Sequence, residues 1–200
     1  MFMSLQKRWK DGVFVVYNSQ PLRSEDQIND VLFYLRRTRY PERDTFLFFL
    51  GINTGLRCSD LLNLKVGTLR HSKRPEIVEI KTGKKKTLFL DAIYPKIEQY
   101  IKDKADEDWV FPSSQNHGAK PESVNNVYKL FKRIDANLGN IGFTTHSMRR
   151  TFGLWYYRKT HDILYLMRLF NHSSEEITKR YIGITDEELG DSLREFKIGF

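Results

Sequence analysis

The sequence has little of what secreted and membrane proteins depend on. It contains one cysteine, Cys58, among 200 residues, so neither an internal disulfide nor a cysteine-based zinc site can form. No stretch approaches the ~18 consecutive apolar residues of a transmembrane helix. The first ten residues carry charge but no apolar segment, so we expect no signal peptide. These absences exclude a disulfide scaffold, a membrane protein and a zinc finger, and they predict a cytoplasmic chain.

Acidic residues are fewer than basic ones, 25 against 33, which gives a formal net charge of +8. Four lysines lie within six positions (Lys81, Lys84, Lys85 and Lys86), whereas acidic residues gather after position 185. An excess of positive charge favours polyanions, because each cation placed against a phosphate releases condensed counterions. Scattered, solvated charge is the ordinary alternative, and charge alone leaves both interpretations open.

Hydrophobic periodicity predicts a mostly α-helical domain with one small antiparallel β-sheet, an α+β fold. Ser24 and Gln27 form a capping-box pattern ahead of a helix with an apolar stripe. A second helix is predicted at about 42–52, and a third begins soon after Gly55, with Leu61, Leu62 and Leu64 apolar. Further helices are predicted at about 92–105, 122–138, 146–158, 161–170, 174–181 and 186–196. The segments 76–80 and 87–90 read as a hairpin with Gly83 in its turn, and 12–17 as a short strand or extended arm.

These patterns divide the chain into three parts. Residues 1–23 form an N-terminal arm or linker, 24–185 form the domain, and 186–200 form a C-terminal segment. We find no internal repeat and no low-complexity segment.

Four short segments carry residues suited to phosphate chemistry: 54–62 (TGLRCSDLL), 80–83 (IKTG), 145–152 (THSMRRTF) and 169–174 (LFNHSS), the last followed by Thr178 and Tyr181. Along the chain, Arg57 and Lys81 are 24 residues apart, His146 and Arg149 are 3 apart, Arg149 and His172 are 23 apart, and His172 and Tyr181 are 9 apart. In this order and spacing the segments resemble the catalytic domain of the tyrosine recombinases, the family of lambda-like phage integrases. The resemblance covers about residues 42–185.

The resemblance implies a site-specific DNA recombinase or integrase of a phage or other mobile element. Tyr181 would attack a phosphate to give a covalent 3′-phosphotyrosine, and Lys81 would protonate the leaving 5′ oxygen. His146 would assist as acid or base, and His172 would hydrogen-bond a non-bridging oxygen. Asp60 would hold the catalytic histidine or arginine in place. Lys84, Lys85, Lys86 and Arg150 would contact DNA, and no metal ion, ATP or other cofactor would be needed.

The physical chemistry of the residues agrees with these roles. A tyrosine is a weak nucleophile because its ordinary pKa is ~10, and a cationic pocket is expected to lower it. Arg57 and Arg149 suit a pentavalent phosphate, since a guanidinium binds two oxygens at once and keeps its charge. His146 and Arg149, three residues apart, share one helix face. Asn171 tolerates a left-handed backbone where the family usually has glycine, and Ser173 with Glu176 forms a further capping-box pattern.

Each residue also has an ordinary interpretation. Tyr156, Tyr157 and Tyr165 compete with Tyr181 as phenols, and Asp60 reads equally as a surface charge. Lys81 is selected over Lys84, Lys85 and Lys86, which lie in the same hairpin and could simply contact backbone phosphates, because its Lys-Thr-Gly context matches the family. For the whole chain, a type IB topoisomerase with the same pocket and a DNA-binding protein that no longer cuts are the alternatives.

The resemblance also implies partners. A recombining member acts as a homotetramer on paired sites in double-stranded DNA, with accessory DNA-bending proteins in some systems, in the nucleoid and without contact to a membrane. The segment from Glu187 to Phe200 is the candidate for exchange between protomers. Most members carry an additional N-terminal helical domain, so the chain is expected to be either a catalytic fragment or a compact member like the short fimbrial-switch invertases.

Overall fold

The computed structural model describes residues 7–10, 13–16, 19–116, 118–185, 188, 190, 194 and 197–199. Over these residues the chain is mostly helical, which confirms the predicted fold class, but it has two small antiparallel sheets where one was predicted. The helices are α1 Glu25–Leu35, α2 Pro41–Thr54, α3 Cys58–Leu62, α4 Val66–Arg70, α5 Tyr94–Ile101, α6 Val124–Asn137, α7 Thr145–Thr160, α8 Ile163–Phe170 and α9 Glu175–Ile182. Strand β1 (Lys7–Lys10) pairs with β2 (Val13–Val16), and β3 (Glu76–Val78) pairs with β4 (Lys85–Thr87).

The helix boundaries follow local capping chemistry. The Ser24 side chain accepts a hydrogen bond from the Gln27 N–H, as predicted, but the Gln27 side chain accepts from the N–H of Arg23 instead of Ser24. The prediction that Ser173 caps α9 is wrong. Ser174 is the N-cap, and its Oγ accepts a hydrogen bond from the Ile177 N–H at 3.2 Å. The short helix α4 was not predicted.

The predicted hairpin forms, but its strands are shorter than expected. The pairs Glu76–Thr87, Ile77–Lys86 and Val78–Lys85 define its register, whereas Leu88 and Leu90 continue beyond the ladder and are buried in the core. Residues 79–84 therefore form the turn, which is as long as predicted but begins two positions earlier. This turn is the part of the hairpin nearest the functional residues.

The described apolar side chains form two cores of unequal size. The larger one is built from α1–α7 and the hairpin, and within it α2 packs against α7, which contributes Met148. The smaller one consists of Leu154, Leu166, Phe170, Tyr181 and Ile182, from the second half of α7 with α8 and α9. Helix α7 thus connects the two cores.

The two ends of the described domain meet on α7. The Trp155 indole N–H donates to the carbonyl of Leu22 at 2.8 Å, and the N–H of Leu22 donates to Thr151 Oγ1 at 2.9 Å. Glu188 forms ion pairs with Arg23 and Arg158. Of the predicted helix 186–196, the structure describes Glu188, Gly190 and Arg194, which are helical; the rest of that segment, and most of the candidate exchange segment, lie outside the described residues.

None of the described helices combines the length and the apolar composition needed to cross a bilayer.

Candidate active site

Arg57 is placed by the turn that ends α2. Gly55 adopts a left-handed backbone with φ of 62°, and a Cβ atom there would lie 2.5 Å from the Phe152 ring. Glycine is therefore required both for conformation and for space. Arg57 follows as the N-cap residue of α3, and its Nη1 lies 2.9 Å from Glu79 Oε2 and 3.9 Å from Asp60 Oδ2.

Two buried carboxylates connect Arg57 to the hairpin turn. Asp60 Oδ1 accepts a hydrogen bond from the Ile80 N–H at 2.9 Å, and Glu79 Oε2 accepts one from the Thr82 hydroxyl at 2.8 Å. Burial by itself raises the pKa of Glu79, but the hydrogen bonds from Thr82 and Arg57 outweigh it and the pKa is lowered. Asp60 thus lies beside the arginine, as its expected role requires, and also fixes the residue before Lys81.

The four lysines of the hairpin occupy different positions. Lys81 is exposed at the turn, and its positive charge helps to lower the pKa of His146. Lys84 Nζ donates to the Asn171 side-chain oxygen at 2.7 Å, which joins the turn to the segment between α8 and α9. Lys85 pairs with Glu76 on the exposed face. Lys86 instead points inward, and its Nζ is buried.

Helix α7 begins with a capping box. Thr144 Oγ1 accepts a hydrogen bond from the His146 N–H at 3.2 Å, and Ser147 Oγ accepts one from the Thr144 N–H at 2.9 Å. His146 and Arg149 lie on one face of its first turns. The Arg149 guanidinium is buried, donates to the carbonyls of Gly55 and Leu169, and stacks 4.5 Å from the Phe170 ring centroid. His146 keeps an exposed edge; loss of water around it and then the charges of Arg150 and Arg149 lower its pKa.

Arg150 lies elsewhere than the sequence suggested for a DNA contact. It is 5% exposed, and its guanidinium lies 4.8 Å from the centroid of the Tyr181 ring. In this conformation Arg150 therefore faces the phenol and not the outer surface, and contact with DNA stays a prediction for it.

The turn between α8 and α9 presents His172. Asn171 has φ of 62° and ends α8, which confirms that this position takes a left-handed backbone. His172 Nδ1 lies 3.1 Å from Thr178 Oγ1, whose hydroxyl is also placed to donate to the Ser174 carbonyl. Burial, followed by the charges of Arg149 and Arg57, lowers the pKa of His172 to about 4.

Tyr181 is buried in α9 beside these groups. Its ring centroid lies 5.0 Å from that of His172 and 5.1 Å from that of Phe170. Burial raises the pKa of the phenol, although Arg149, Arg150 and Arg57 each act to lower it. The expectation of a lowered pKa is therefore wrong for the free protein: the arginines are present, but burial outweighs them.

Sequence reasoning missed two residues of this arrangement. Glu79 follows Glu76 by three residues, so strand alternation would place the two side chains on opposite faces. The structure has Glu76 exposed and Glu79 buried against Arg57. Thr178 was noted beside the motif without a role, and the structure pairs it with His172. His172 and Thr178 are six residues apart, with the start of α9 between them. This spacing alone does not show that their side chains meet.

The arrangement collects positive charge around one phenol. Guanidinium groups from three positions, Arg57, Arg149 and Arg150, influence Tyr181, and His172 lies against the same ring. Such a cluster is suited to bind a phosphate and to stabilise negative charge that develops during attack on phosphorus.

Comparisons with known proteins agree with this geometry. Residues 23–188 match the Phage integrase family. The probable integrase/recombinase YoeC of Bacillus subtilis is 39% identical over 169 residues, which cover 84% of this chain and 91% of that protein. Tyrosine recombinase XerA of Pyrococcus horikoshii is 26% identical over 164 residues, which cover 78% of this chain and 55% of XerA. The chain therefore spans about half the length of this second relative.

A solved structure has the same fold. The integrase of transposon Tn1549, in complex with a circular intermediate DNA, superposes with a TM-score of 0.64 at 16% identity, covering 90% of this chain and 66% of that one.

Proposed function

The chain belongs to the phage integrase family, the tyrosine recombinases, and from that membership we propose that it cleaves and rejoins double-stranded DNA at specific sites through a covalent 3′-phosphotyrosine on Tyr181. The observation that carries the proposal is the placement of the Tyr181 phenol beside His172 and within the field of Arg57, Arg149 and Arg150. These residues come from segments far apart in sequence, and ordinary packing gives no reason to gather so many cations around a buried phenol.

In the proposed reaction the Tyr181 oxygen attacks phosphorus while the bond from phosphorus to the 5′ oxygen breaks. The phenol proton passes to a base, for which His146 is the proposed group, and Lys81 gives a proton to the leaving 5′ oxygen. Arg57 and Arg149 bind the non-bridging oxygens and stabilise the pentavalent transition state. Rejoining reverses these steps, and the phosphotyrosine ester conserves the bond energy, so the reaction as proposed needs no ATP or metal ion.

The role of His172 depends on its protonation. When the Thr178 hydroxyl donates to Ser174, its oxygen accepts from His172 Nδ1–H, and Nε2 of the neutral ring carries a lone pair. Donation from Nε2 to a phosphate oxygen therefore requires a second proton. A bound phosphate favours this second protonation of His172, because nearby negative charge raises the pKa of the imidazolium.

Two rearrangements accompany DNA binding in this proposal. Tyr181, 9% exposed, must turn or move with α9 to reach a phosphate. A phosphate that binds Nη1 of Arg57 displaces Glu79 from that nitrogen, whereas Nε and Nη2 donate no hydrogen bond to Glu79. The homotetramer on paired sites, exchange of the C-terminal segment and accessory DNA-bending proteins belong to the same proposal and follow from the family alone.

Covalent capture tests the nucleophile and requires no defined target sequence. A pool of nicked duplexes with randomised arms loses a short strand after cleavage, so the adduct cannot be reversed. The native protein should form an SDS-resistant complex, and sequencing of the captured DNA gives the site. Tyr181→Phe should form none, whereas the matched control Tyr165→Phe, in the neighbouring helix α8, should retain it.

The outcomes separate the three functions. The same adduct with Tyr181→Phe rejects Tyr181 as nucleophile. DNA retention by the native protein without any adduct favours the non-cutting DNA-binding protein. Relaxation of supercoiled plasmid that lacks paired sites favours the type IB topoisomerase.

A further inference from the structure

Lys86 occupies a position where the strand pattern calls for an apolar side chain. Successive side chains of a strand alternate between faces, and in the segment 85–90 the inward series is Lys86, Leu88 and Leu90. Leu88 and Leu90 are 3% and 0% exposed, whereas Lys85 and Thr87 lie outside. The Lys86 stem thus follows the core face of the hairpin and carries its ammonium inward.

The buried ammonium of Lys86 has no hydrogen-bond partner among the described residues. Two carboxylates lie within electrostatic reach of Lys86. Glu79 contacts Arg57 and Thr82, whereas Asp60 accepts from the Ile80 N–H through Oδ1 and its buried Oδ2 has no hydrogen-bond partner among the described residues. Burial, then the charge of Arg149, lowers the pKa of Lys86 to about 8. A buried cation without a hydrogen-bond partner is unfavourable for folding, and neither nearby carboxylate hydrogen-bonds the ammonium of Lys86, so the site favours an additional anion.

Lys86 also lines a cavity of about 200 Å³ with Thr54, Phe152, Tyr156 and Leu169. Thr54 precedes the turn that carries Arg57, and Phe152 follows Arg149 by three residues on α7. The cavity therefore borders both segments that supply the proposed phosphate-binding arginines. Lys86 lines the same cavity from the hairpin.

We propose that Lys86 is a further catalytic residue, whose ammonium binds a non-bridging oxygen of the scissile phosphate beside Arg57 and Arg149. The inference rests on the proposed function and assigns Lys86 to the reacting phosphate instead of the flanking DNA backbone. Lys81 has a different proposed role. It lies exposed on the turn, five positions before Lys86, and donates a proton to the leaving 5′ oxygen. Lys86 stabilises charge on the phosphate and donates no proton.

A sulfur substitution separates the two lysines. In a nicked duplex whose scissile 5′ oxygen is replaced by sulfur, the leaving thiolate needs no proton, so loss of a general acid is compensated while loss of a phosphate ligand is not. Single-turnover cleavage of the oxygen and sulfur duplexes is measured for Lys86→Met, Lys81→Met and the surface control Lys85→Met, together with the urea midpoint of each protein.

We expect Lys86→Met to cleave both duplexes roughly 10²- to 10³-fold more slowly, the loss typical of one removed charge-stabilising donor. Lys81→Met should be slow on the oxygen duplex and recover on sulfur, and Lys85→Met should match the native protein on both. The urea midpoint of Lys86→Met should not fall, since methionine fills the space without an unpaired charge.

Three results overturn the inference: native cleavage by Lys86→Met, recovery of Lys86→Met on sulfur, or a lowered urea midpoint that accounts for its loss of activity. Failure of the native protein to cleave either duplex instead overturns the proposed function, so the two failures are distinguishable.

Discussion

His172 is half-buried against Tyr181 with its pKa lowered to about 4, and this couples folding to pH. The unfolded ring titrates near its ordinary value of ~6.5, so between these values the unfolded state binds more protons. Stability is therefore complete above pH ~6.5 and is lost as the pH falls towards 4. From pH 7.5 to 5.0 we expect the native protein to lose about 1 kcal/mol more than His172→Gln, after allowance for partial exposure.

Urea unfolding at the two pH values measures this difference, with His161→Gln as the exposed-histidine control. An identical pH dependence for the native protein and His172→Gln would show that the ring is not held neutral by its surroundings.

Among the elements, the crossing of α7 and α9 sets the position of the phenol. A Cβ atom added at Gly153 would lie 2.5 Å from Ile182 and 2.8 Å from the Phe170 ring. Alanine normally favours a helix interior by ~1 kcal/mol over glycine, but here overpacking costs about 1–3 kcal/mol. We expect Gly153→Ala to lower stability by about 1–2 kcal/mol and to slow covalent-adduct formation by displacing α9.

Thermal unfolding and adduct formation test this, with the exposed α7 variant Lys159→Ala as control. A Gly153→Ala protein as stable and as active as the native one would mean that α9 adjusts freely, contrary to the packing.

The sequence predicts those features of these elements that depend on residues close together in the chain. Ser24 as a cap, the left-handed Asn171 and the shared face of His146 and Arg149 follow from neighbours within four residues, and the structure has all three. Strand alternation places Lys86 on the same face as Leu88 and Leu90 and Lys85 on the other, but a run of three lysines does not indicate that one ammonium is buried without a partner. That burial, and the contact between Glu79 and Arg57, arise only when the hairpin packs in the folded domain. Arg150 beneath Tyr181 and the raised phenol pKa likewise result from tertiary packing, which the motif spacing does not encode.

In the molecule as a whole, Tyr181 belongs to the smaller of the two cores, which contains five buried apolar residues. Free energies of local opening fall where less apolar surface is buried. We expect native-state hydrogen exchange to show amides of α8 and α9 opening at a lower free energy than those of α2, and to show this without global unfolding. Exchange of α9 only together with α2 would contradict a separate opening unit.

The contact between Glu79 and Arg57 has a consequence for which anions the protein tolerates. The protein itself supplies a carboxylate that contacts Arg57 Nη1, so an incoming phosphate competes with Glu79 for that nitrogen. A lone inorganic phosphate or nucleotide has only that single group to offer, whereas a duplex adds contacts along its length. We therefore expect the Glu79 carboxylate to weaken binding of a single phosphate group more than binding of a duplex.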